Sequence, residues 1–160
     1  MVPPVWKVKG KTMSGIKVRA ATPLDVDELA RLMAELGYPT TSEKMAARLE
    51  RVSDRQDYAT FVADEDGAIA GMIGLFVSPT LYRDDLDGVI SALVVSSDFR
   101  GRGIAGLLID HGERWLYDRG ARLVSVKPST RREDAHRLYK RCGYEHTGLR
   151  FTKVLEEVDG

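Results

Sequence analysis

The chain has 160 residues, 43% of them apolar and 30% charged, a composition that predicts a globular protein with a hydrophobic core. Lysine plus arginine and aspartate plus glutamate both total 24, and this zero net charge argues against nucleic acid or an anionic membrane as the main partner. The single cysteine, Cys142, excludes an intramolecular disulfide, and no apolar run approaches the roughly 20 residues of a membrane span. We expect a cytoplasmic protein.

Local signals in the sequence predict where the first elements begin and end. Residues 1–14 contain lysines but no apolar core or cleavage pattern, so we expect a flexible extension or leader rather than a signal peptide. No repeat or low-complexity linker interrupts residues 15–160, which predicts a single domain. Thr22 and Pro23 mark the start of a first helix that ends at Gly37, and residues 64–67 mark a β-hairpin.

Hydrophobic periodicity supplies the rest of the predicted elements. Strands are expected over residues 16–21, 58–63, 68–77, 89–95, 122–127 and 148–155, and helices over residues 23–36, 103–119, 132–142 and from residue 42 onward. The order is β-α-α-β-β-β-α-β-α-β. It predicts an α/β (α+β) fold with a mixed, mostly antiparallel central sheet flanked by about four helices.

A basic, glycine-rich turn separates strand 89–95 from the helix after it. Its glycines let the backbone approach a ligand closely, and the helix N-terminus adds partial positive charge, so the turn predicts a site for a phosphate-bearing cofactor. Residues 101–106 also match the dinucleotide fingerprint G-x-G-x-x-G. Against a dinucleotide, several strands precede the turn, and the next strand ends in Lys127 without a carboxylate for a ribose.

Two motifs resemble those of the GNAT superfamily of N-acetyltransferases. The first is R-x-x-G-x-A at residues 100–105, after an apolar strand that ends at Val95. The second, at residues 132–144, is similar to the family pattern R-x-x-A-H-x-F/L-Y-x-x-x-G-F/Y. The resemblance extends over residues 16–155 and implies the GNAT-like fold, acetyl-CoA as cofactor and an acetyltransferase activity.

The resemblance also implies which residues hold coenzyme A. The pyrophosphate would be bound by Arg100, Gly101, Arg102, Gly103, Ile104 and Ala105. The pantetheine arm would bind to backbone groups of Leu93, Val94 and Val95. The N–H of Val94 or Val95 would polarise the thioester carbonyl. Arg132 and Ala135 would also contact the cofactor, although Arg132 fits a structural salt bridge equally well and Arg102 fits a solvated turn.

Tyr139 matches the family tyrosine that protonates the departing thiolate, and its place on the apolar stripe of its helix also fits a core tyrosine. The sequence does not identify the residue that acts as general base. Some family members carry glutamate at the position of Ser91, and serine cannot replace it as a direct base, although it can hold a water. The other candidates are Glu35, Asp84, Asp85 and Asp87, of which the aspartates also fit a solvated turn or a group that attracts a cationic substrate.

The leading hypothesis is direct transfer of an acetyl group from acetyl-CoA to a primary amine in a ternary complex, with a small-molecule amine favoured. A peptide or protein amine is the first alternative, and a non-catalytic acyl-CoA-binding module is the second. The sequence contains no cluster with metal-ligand spacing, so no metal is expected. Exposed sheet edges often pair between subunits in this fold, so the resemblance implies a homodimer.

Overall fold

The computed structural model describes residues 15–127, 133–148 and 151–155, so the predicted leader lies outside the described residues. The chain forms two compact units, Met1–Lys127 and Pro128–Gly160. The first unit contains the sheet and three α-helices, and the second contains a fourth helix. The single domain over residues 15–160 stays a prediction.

Five strands form one sheet whose spatial order follows the chain. They are β1 (Ile16–Ala20), β2 (Tyr58–Glu65), β3 (Ala68–Ser78), β4 (Leu86–Val95) and β5 (Ala121–Val126). Strands β1 to β4 pair antiparallel with one another, and β5 runs parallel to β4. This mixed, mostly antiparallel sheet confirms the predicted fold class.

The helices are α1 (Val26–Leu36), α2 (Ser42–Ser53), α3 (Ile104–Asp118) and, in the second unit, α4 (Glu133–Arg141). Helices α1 and α2 pack on one face of the sheet, where Leu29 is fully buried in a cluster with Val62 and Met72. Side chains alternate along a strand, so Ile73 points to the opposite face. There α3 approaches closely, since a Cβ added to Gly112 would lie 3.0 Å from the Cδ1 atom of Ile73.

Local sequence explains where α1 and the β2–β3 hairpin begin and end. Thr22 accepts the N–H of Leu24 (3.3 Å) and caps one 3-10 turn, which leads directly into α1. Gly37 ends α1 in the left-handed conformation (φ 107°) that glycine favours. Asp66 and Gly67 both have positive φ, as a two-residue hairpin turn requires.

The predicted start of β4 is wrong. The sequence predicts a polar turn over residues 84–88, yet β4 begins at Leu86. The reason is tertiary: Asp87 and Gly88 pair with the end of β3, and Leu86 also lies beside the start of β5. Hydrogen bonding to two neighbouring strands extends the strand through residues of low intrinsic strand propensity.

The predicted last strand, over residues 148–155, is not formed at its described residues. Gly148 and residues 151–155 carry no regular secondary structure. Phe151, Val154 and Leu155 are 91%, 85% and 87% exposed, so they do not gain the burial of apolar surface that stabilises a strand. The alternating pattern alone therefore does not make this segment a strand.

A buried carboxylate connects β1, the start of α1 and the β2–β3 hairpin. Asp25 is 6% exposed and accepts two hydrogen bonds from the Arg19 guanidinium, both at 2.8 Å. It also accepts the backbone N–H of Thr22 at 2.8 Å, while Arg19 Nε donates to Asp64 at 2.9 Å. The Arg19 guanidinium therefore lowers the pKa of both carboxyl groups.

Candidate active site

Strand β4 has a free edge in the half that leads to the glycine-rich loop. Residues 93–95 pair with β3 on one side. On the other side, the pairing with β5 ends at Ile90 and Val126. Within the described part of the chain, residues 91–95 therefore have no strand partner on the β5 side. An extended ligand chain can approach backbone groups along this edge.

A β-bulge lies where the two strands separate. Gly74 pairs with Ala92 and Leu75 pairs with Ile90, so Ser91 is an extra residue in β4. A bulge bends its strand and increases the local twist. Such a bend carries the second half of β4 away from the line of β5, and the sequence carries no clear signal for it.

The direction of the backbone amides separates Val94 from Val95. The N–H of Ser96 donates to the carbonyl of Ala70, at the end of the β3 side, at 2.7 Å. Backbone N–H groups alternate between the two edges of a strand, so the N–H of Val94 points to β3 and that of Val95 points to the free edge. Of the two N–H groups predicted to donate to a thioester carbonyl, only that of Val95 points to the free edge of β4.

The loop between β4 and α3 presents backbone amides rather than side chains. Gly101 and Gly103 have φ of 77° and 79°, and a Cβ added to either would meet no atom within 4 Å. Leu107 N–H donates to the Gly103 carbonyl (3.1 Å), which leaves the amides of residues 104–106 in the first turn of α3 without an intrahelical acceptor. Gly103, the N-cap residue, brings no side chain to cap them. The arrangement fits a phosphate or pyrophosphate.

Glu35 at the end of α1 holds the start of this loop. Its carboxylate accepts the backbone N–H of Ser97 at 3.0 Å and lies 3.8 Å from the Arg100 guanidinium. It also pairs with Arg31 (3.2 Å), which donates to the hydroxyl of the buried Ser96 at 3.2 Å. The carboxylate proposed from sequence as a general base is therefore engaged in positioning the loop backbone.

Arg102 has a partner that sequence reasoning did not anticipate. Its guanidinium forms two hydrogen bonds with Glu65 of the β2–β3 hairpin, at 2.9 and 2.7 Å, and lies 5.6 Å from the centre of the Phe99 ring. This hydrogen bonding lowers the pKa of Glu65 and raises that of Arg102. Arg102 is neither a freely solvated turn residue nor aimed only at a ligand. The pair links the loop to a hairpin that lies 37 residues earlier in the chain.

The α1/α2 side of the sheet includes a patch of small and aromatic residues, which we call the open face and define by Tyr58, Thr60, Gly74, Phe76 and Ser91. The strand register puts Thr60 beside Gly74 and Tyr58 beside Phe76. The Ser91 Oγ would lie 3.0 Å from a Cβ on Gly74, so it is on the same face. Ser91 is exposed although its strand is interior to the sheet, so this face is accessible to a small molecule.

In the second unit, Tyr139 lies near the end of α4. Gly143 (φ 89°) follows the helix, its N–H donates to the Lys140 carbonyl (3.1 Å), and the N–H of Tyr144 donates to the Tyr139 carbonyl (2.9 Å). These two bonds define a Schellman motif, in which the two flanking residues usually make a hydrophobic contact. The rings of Tyr139 and Tyr144 make that contact, edge to face at 5.8 Å. The Tyr139 ring therefore has a structural neighbour in addition to any chemical role.

The other residues of the second motif are less informative. Ala135 is half-buried on α4, and Arg132 lies outside the described residues.

His111 lies on α3, outside both motifs, and packs edge to face against Phe61 at 4.5 Å. Burial lowers the pKa of His111, and the charge of Arg114 lowers it further. These contacts agree with a packing role for His111.

The acidic residues around the start of β4 form ion pairs and hydrogen bonds with residues of the same segment. Arg83 hydrogen-bonds to Asp85 and lies 3.3 Å from Asp87, whose other oxygen accepts the Tyr82 hydroxyl at 3.0 Å. The bond to Asp87 raises the pKa of Tyr82. Asp84 is exposed. The segment is anchored at the end of the sheet opposite the glycine-rich loop, so these aspartates are poorly placed as a base for chemistry at the free edge of β4.

Two classes of feature do not occur in the described ranges. No three His, Cys, Asp or Glu residues there are grouped as metal ligands. None of the helices described has both the length and the apolar content needed to cross a bilayer.

Comparison with known proteins gives concordant results. A sequence profile of the Acetyltransferase (GNAT) family matches residues 26–144. An aminoalkylphosphonate N-acetyltransferase of Salmonella typhimurium strain LT2 is 33% identical over 144 residues, which span 87% of this chain and 91% of that protein.

Solved structures show the same fold at lower identity. An aminoglycoside N-acetyltransferase in complex with CoA superposes with a TM-score of 0.78 at 20% identity, covering 97% of this chain and 99% of the other. A glucosamine-6-phosphate N-acetyltransferase from Arabidopsis thaliana gives a TM-score of 0.75 at 21% identity, covering 88% and 99% of the two chains.

Proposed function

The chain belongs to the GNAT family of acetyltransferases and is an acyltransferase of that type, and on this basis we propose that it transfers the acetyl group of acetyl-CoA to a small-molecule primary amine. The observation that supports the proposal most directly is the free edge of β4, which leads from the bulge at Ser91 to the glycine-rich loop. An extended arm with an acyl group at one end and a pyrophosphate at the other suits this arrangement.

The loop and β4 would bind different parts of acetyl-CoA. The amides from Arg100 to Ala105 would hold the pyrophosphate, and the two glycines keep Cβ atoms out of its way. The Arg100 side chain is 58% exposed, so its guanidinium can turn from Glu35 to a phosphate oxygen. Backbone groups of residues 93–95 would bind the pantetheine arm, and the Val95 N–H would donate to the acetyl carbonyl oxygen.

In the proposed reaction the amine nitrogen bonds to the acetyl carbon while the carbon–sulfur bond breaks. The amine loses a proton, and the departing thiolate gains one. Tyr139 would donate the second proton. A phenol with pKa about 10 gives a proton to a thiolate whose acid has pKa about 8.5 at a modest cost, which a hydrogen bond formed as charge develops offsets.

The amine must first become neutral. With a pKa of about 10.4, roughly one lysine-like amine in 2,500 is unprotonated at pH 7, a cost near 4.6 kcal/mol. Ser91 occupies the place of the glutamate found in some relatives and cannot accept this proton directly. We propose that Ser91 holds a water that passes the proton to solvent from the exposed bulge.

The similarity to an enzyme named for aminoalkylphosphonates supports a small amine over a peptide amine. Transfer to a peptide remains the alternative, because acceptor loops vary on a fixed scaffold. The homodimer and the cytoplasmic location remain predictions from the sequence.

Ligand-induced stabilisation tests the cofactor. Acetyl-CoA at about 100 times its Kd should stabilise the protein by about 2.7 kcal/mol, which corresponds to an increase in Tm of several degrees. NADH should give no such shift. A shift with NADH alone would contradict the proposal. Release of free thiol from acetyl-CoA in the presence of a small amine, compared with its absence, then tests whether that amine is the acceptor.

Replacing Glu35 with alanine tests whether this carboxylate positions the loop or acts as a base. Loss of the bond to the Ser97 N–H should raise KM for acetyl-CoA about fivefold, the equivalent of about 1 kcal/mol, and leave kcat nearly unchanged. Glu28→Ala is the control, since Glu28 pairs with the same Arg31 without touching the loop. A large fall in kcat with unchanged KM would instead identify Glu35 as the base.

A further inference from the structure

We infer that the acceptor amine carries an anionic group and that Lys127 binds this group on the open face. The inference deepens the proposed function, since it assumes transfer to an amine bound near Ser91. It rests on the position of one lysine and on the balance of charge around it.

The strand register places Lys127 beside the bulge. Val126 and Ile90 are the last residues paired between β5 and β4, so Lys127 and Ser91 are the residues that follow them in the sequence. Alternation puts Lys127 on the same face as Ser125, which pairs with Val89. Lys127 therefore projects from the point where the two strands separate.

The side chain of Lys127 reaches across the sheet. Its Nζ lies 5.9 Å from the centre of the Phe76 ring, on β3, so the side chain extends over β4. Phe76 stacks on Tyr58 with ring centres 5.2 Å apart. The ammonium group is therefore held above the aromatic half of the open face, next to the small residues Gly74 and Ser91.

Lys127 differs from two other charged groups near the open face, which form ion pairs. Arg55, 4.9 Å from the Tyr58 ring, is matched by Asp57 through hydrogen bonds of 2.9 and 2.8 Å. Asp87, one row further along the same face, lies 3.3 Å from the Arg83 guanidinium, which also hydrogen-bonds to Asp85. Among the residues whose positions are described, no carboxylate forms an ion pair with Lys127. The Lys127 ammonium group can therefore pair with an anionic group of a ligand.

This charge selects among amines. A simple amine or a polyamine arrives as a cation and is repelled by the ammonium group. An amine with a phosphonate, phosphate or carboxylate a few bonds away gains a charge-assisted contact that offsets the repulsion. Lysine acts as a point charge and does not require the planar, two-pronged geometry that arginine does. The nearby positive charge also lowers the pKa of a bound amine and so increases the neutral, nucleophilic fraction.

The test compares two amines of nearly equal shape. One is 2-aminoethylphosphonate, and the other is 3,3-dimethylbutylamine, in which a tert-butyl group replaces the phosphonate. The proposal expects a higher kcat/KM for the phosphonate in the wild-type protein. Lys127→Met should lower kcat/KM for the phosphonate about 30-fold and change that for the neutral-tailed amine by less than about threefold.

Matched variants and a binding measurement complete the test. Lys127→Arg should restore much of the preference, and Lys17→Met, at an exposed lysine on β1 at the other edge of the sheet, should not alter it. Ethylphosphonate, which has no amine, should bind the CoA-loaded wild-type protein by calorimetry more tightly than the Lys127→Met variant. Because Lys127 is exposed, its replacement should leave Tm unchanged.

The outcomes separate the two proposals. Equal kcat/KM for both amines in the wild-type protein, or an undiminished preference in Lys127→Met, overturns the role of Lys127 while acetyl transfer stands. Lys127-dependent binding of ethylphosphonate without acetylation of any amine supports the anion site and overturns the transferase proposal. Absence of both overturns both.

Discussion

Replacing Tyr139 with phenylalanine is expected to lower kcat for acetyl transfer about 100-fold or more, the range that a positioned general acid contributes. The affinity for acetyl-CoA should stay within about twofold, because a phenol that acts on the departing thiolate contributes little to ground-state binding. The phenylalanine ring keeps the edge-to-face contact with Tyr144, so α4 should still end in its Schellman motif. Steady-state kinetics and a direct titration with CoA measure the two effects.

Tyr144→Phe is the matched control for this variant. It removes the hydroxyl group of the other ring of the pair and leaves the edge-to-face contact intact. We expect kcat to remain within about threefold of the wild-type value, because the proposed mechanism does not use the Tyr144 hydroxyl as a proton donor. Equal losses in the two variants would indicate that the rings act through packing, and an unchanged kcat in Tyr139→Phe would assign the proton to another donor.

Replacing Asp25 with alanine is expected to lower the free energy of unfolding by about 3 kcal/mol, the order found when one partner of a buried ion pair is removed. Asp25 is almost fully buried, and its loss leaves the Arg19 guanidinium with Asp64 as its remaining ion-pair partner and removes the acceptor of the Thr22 N–H. For a chain of this size the corresponding decrease in Tm is about 9 °C. Urea or thermal unfolding measures the change.

The dependence of this effect on pH has a defined sign. Folding lowers the pKa of Asp25, so its stabilising contribution is complete above the unfolded pKa of about 3.9 and is lost as the pH falls through the lower folded value. The difference between wild type and Asp25→Ala should therefore be constant near pH 7 and shrink in acid. Asp57→Asn is the control, because the Arg55–Asp57 pair is exposed and its loss should leave Tm unchanged. A difference that grows in acid would contradict this account.

Much of the fold could be predicted because its signals are local. Thr22, Pro23 and Gly37 set the ends of the first helical segment through groups within a few residues of one another. The Asp66-Gly67 turn fixes the first long hairpin in the same way. The last predicted strand does not form at its described residues. A strand is stabilised by neighbouring strands, and a local pattern cannot show whether such neighbours are present.

In the candidate site, too, features set by consecutive residues were predictable, and contacts between distant residues were not. The glycine-rich loop was predictable because positive φ and a free helix N-terminus are properties of consecutive residues. The roles of Glu35 and Glu65 were not, because each carboxylate reaches the loop from an element 62 or 37 residues away. The Arg31–Glu35 spacing on α1 indicates only a solvated ion pair, and nothing local indicates contact with Ser97.

Local patterns in the sequence were enough to predict the family, the order of the elements up to α4 and the loop that suits a phosphate. The tertiary structure was needed to show that Ser91 is the extra residue of a bulge, that Val95 rather than Val94 faces the free edge, and that Lys127 extends over Phe76. All three depend on the register between strands. Register is set by the packing of both faces of the sheet at once, and a shift of one residue would turn every side chain to the opposite face.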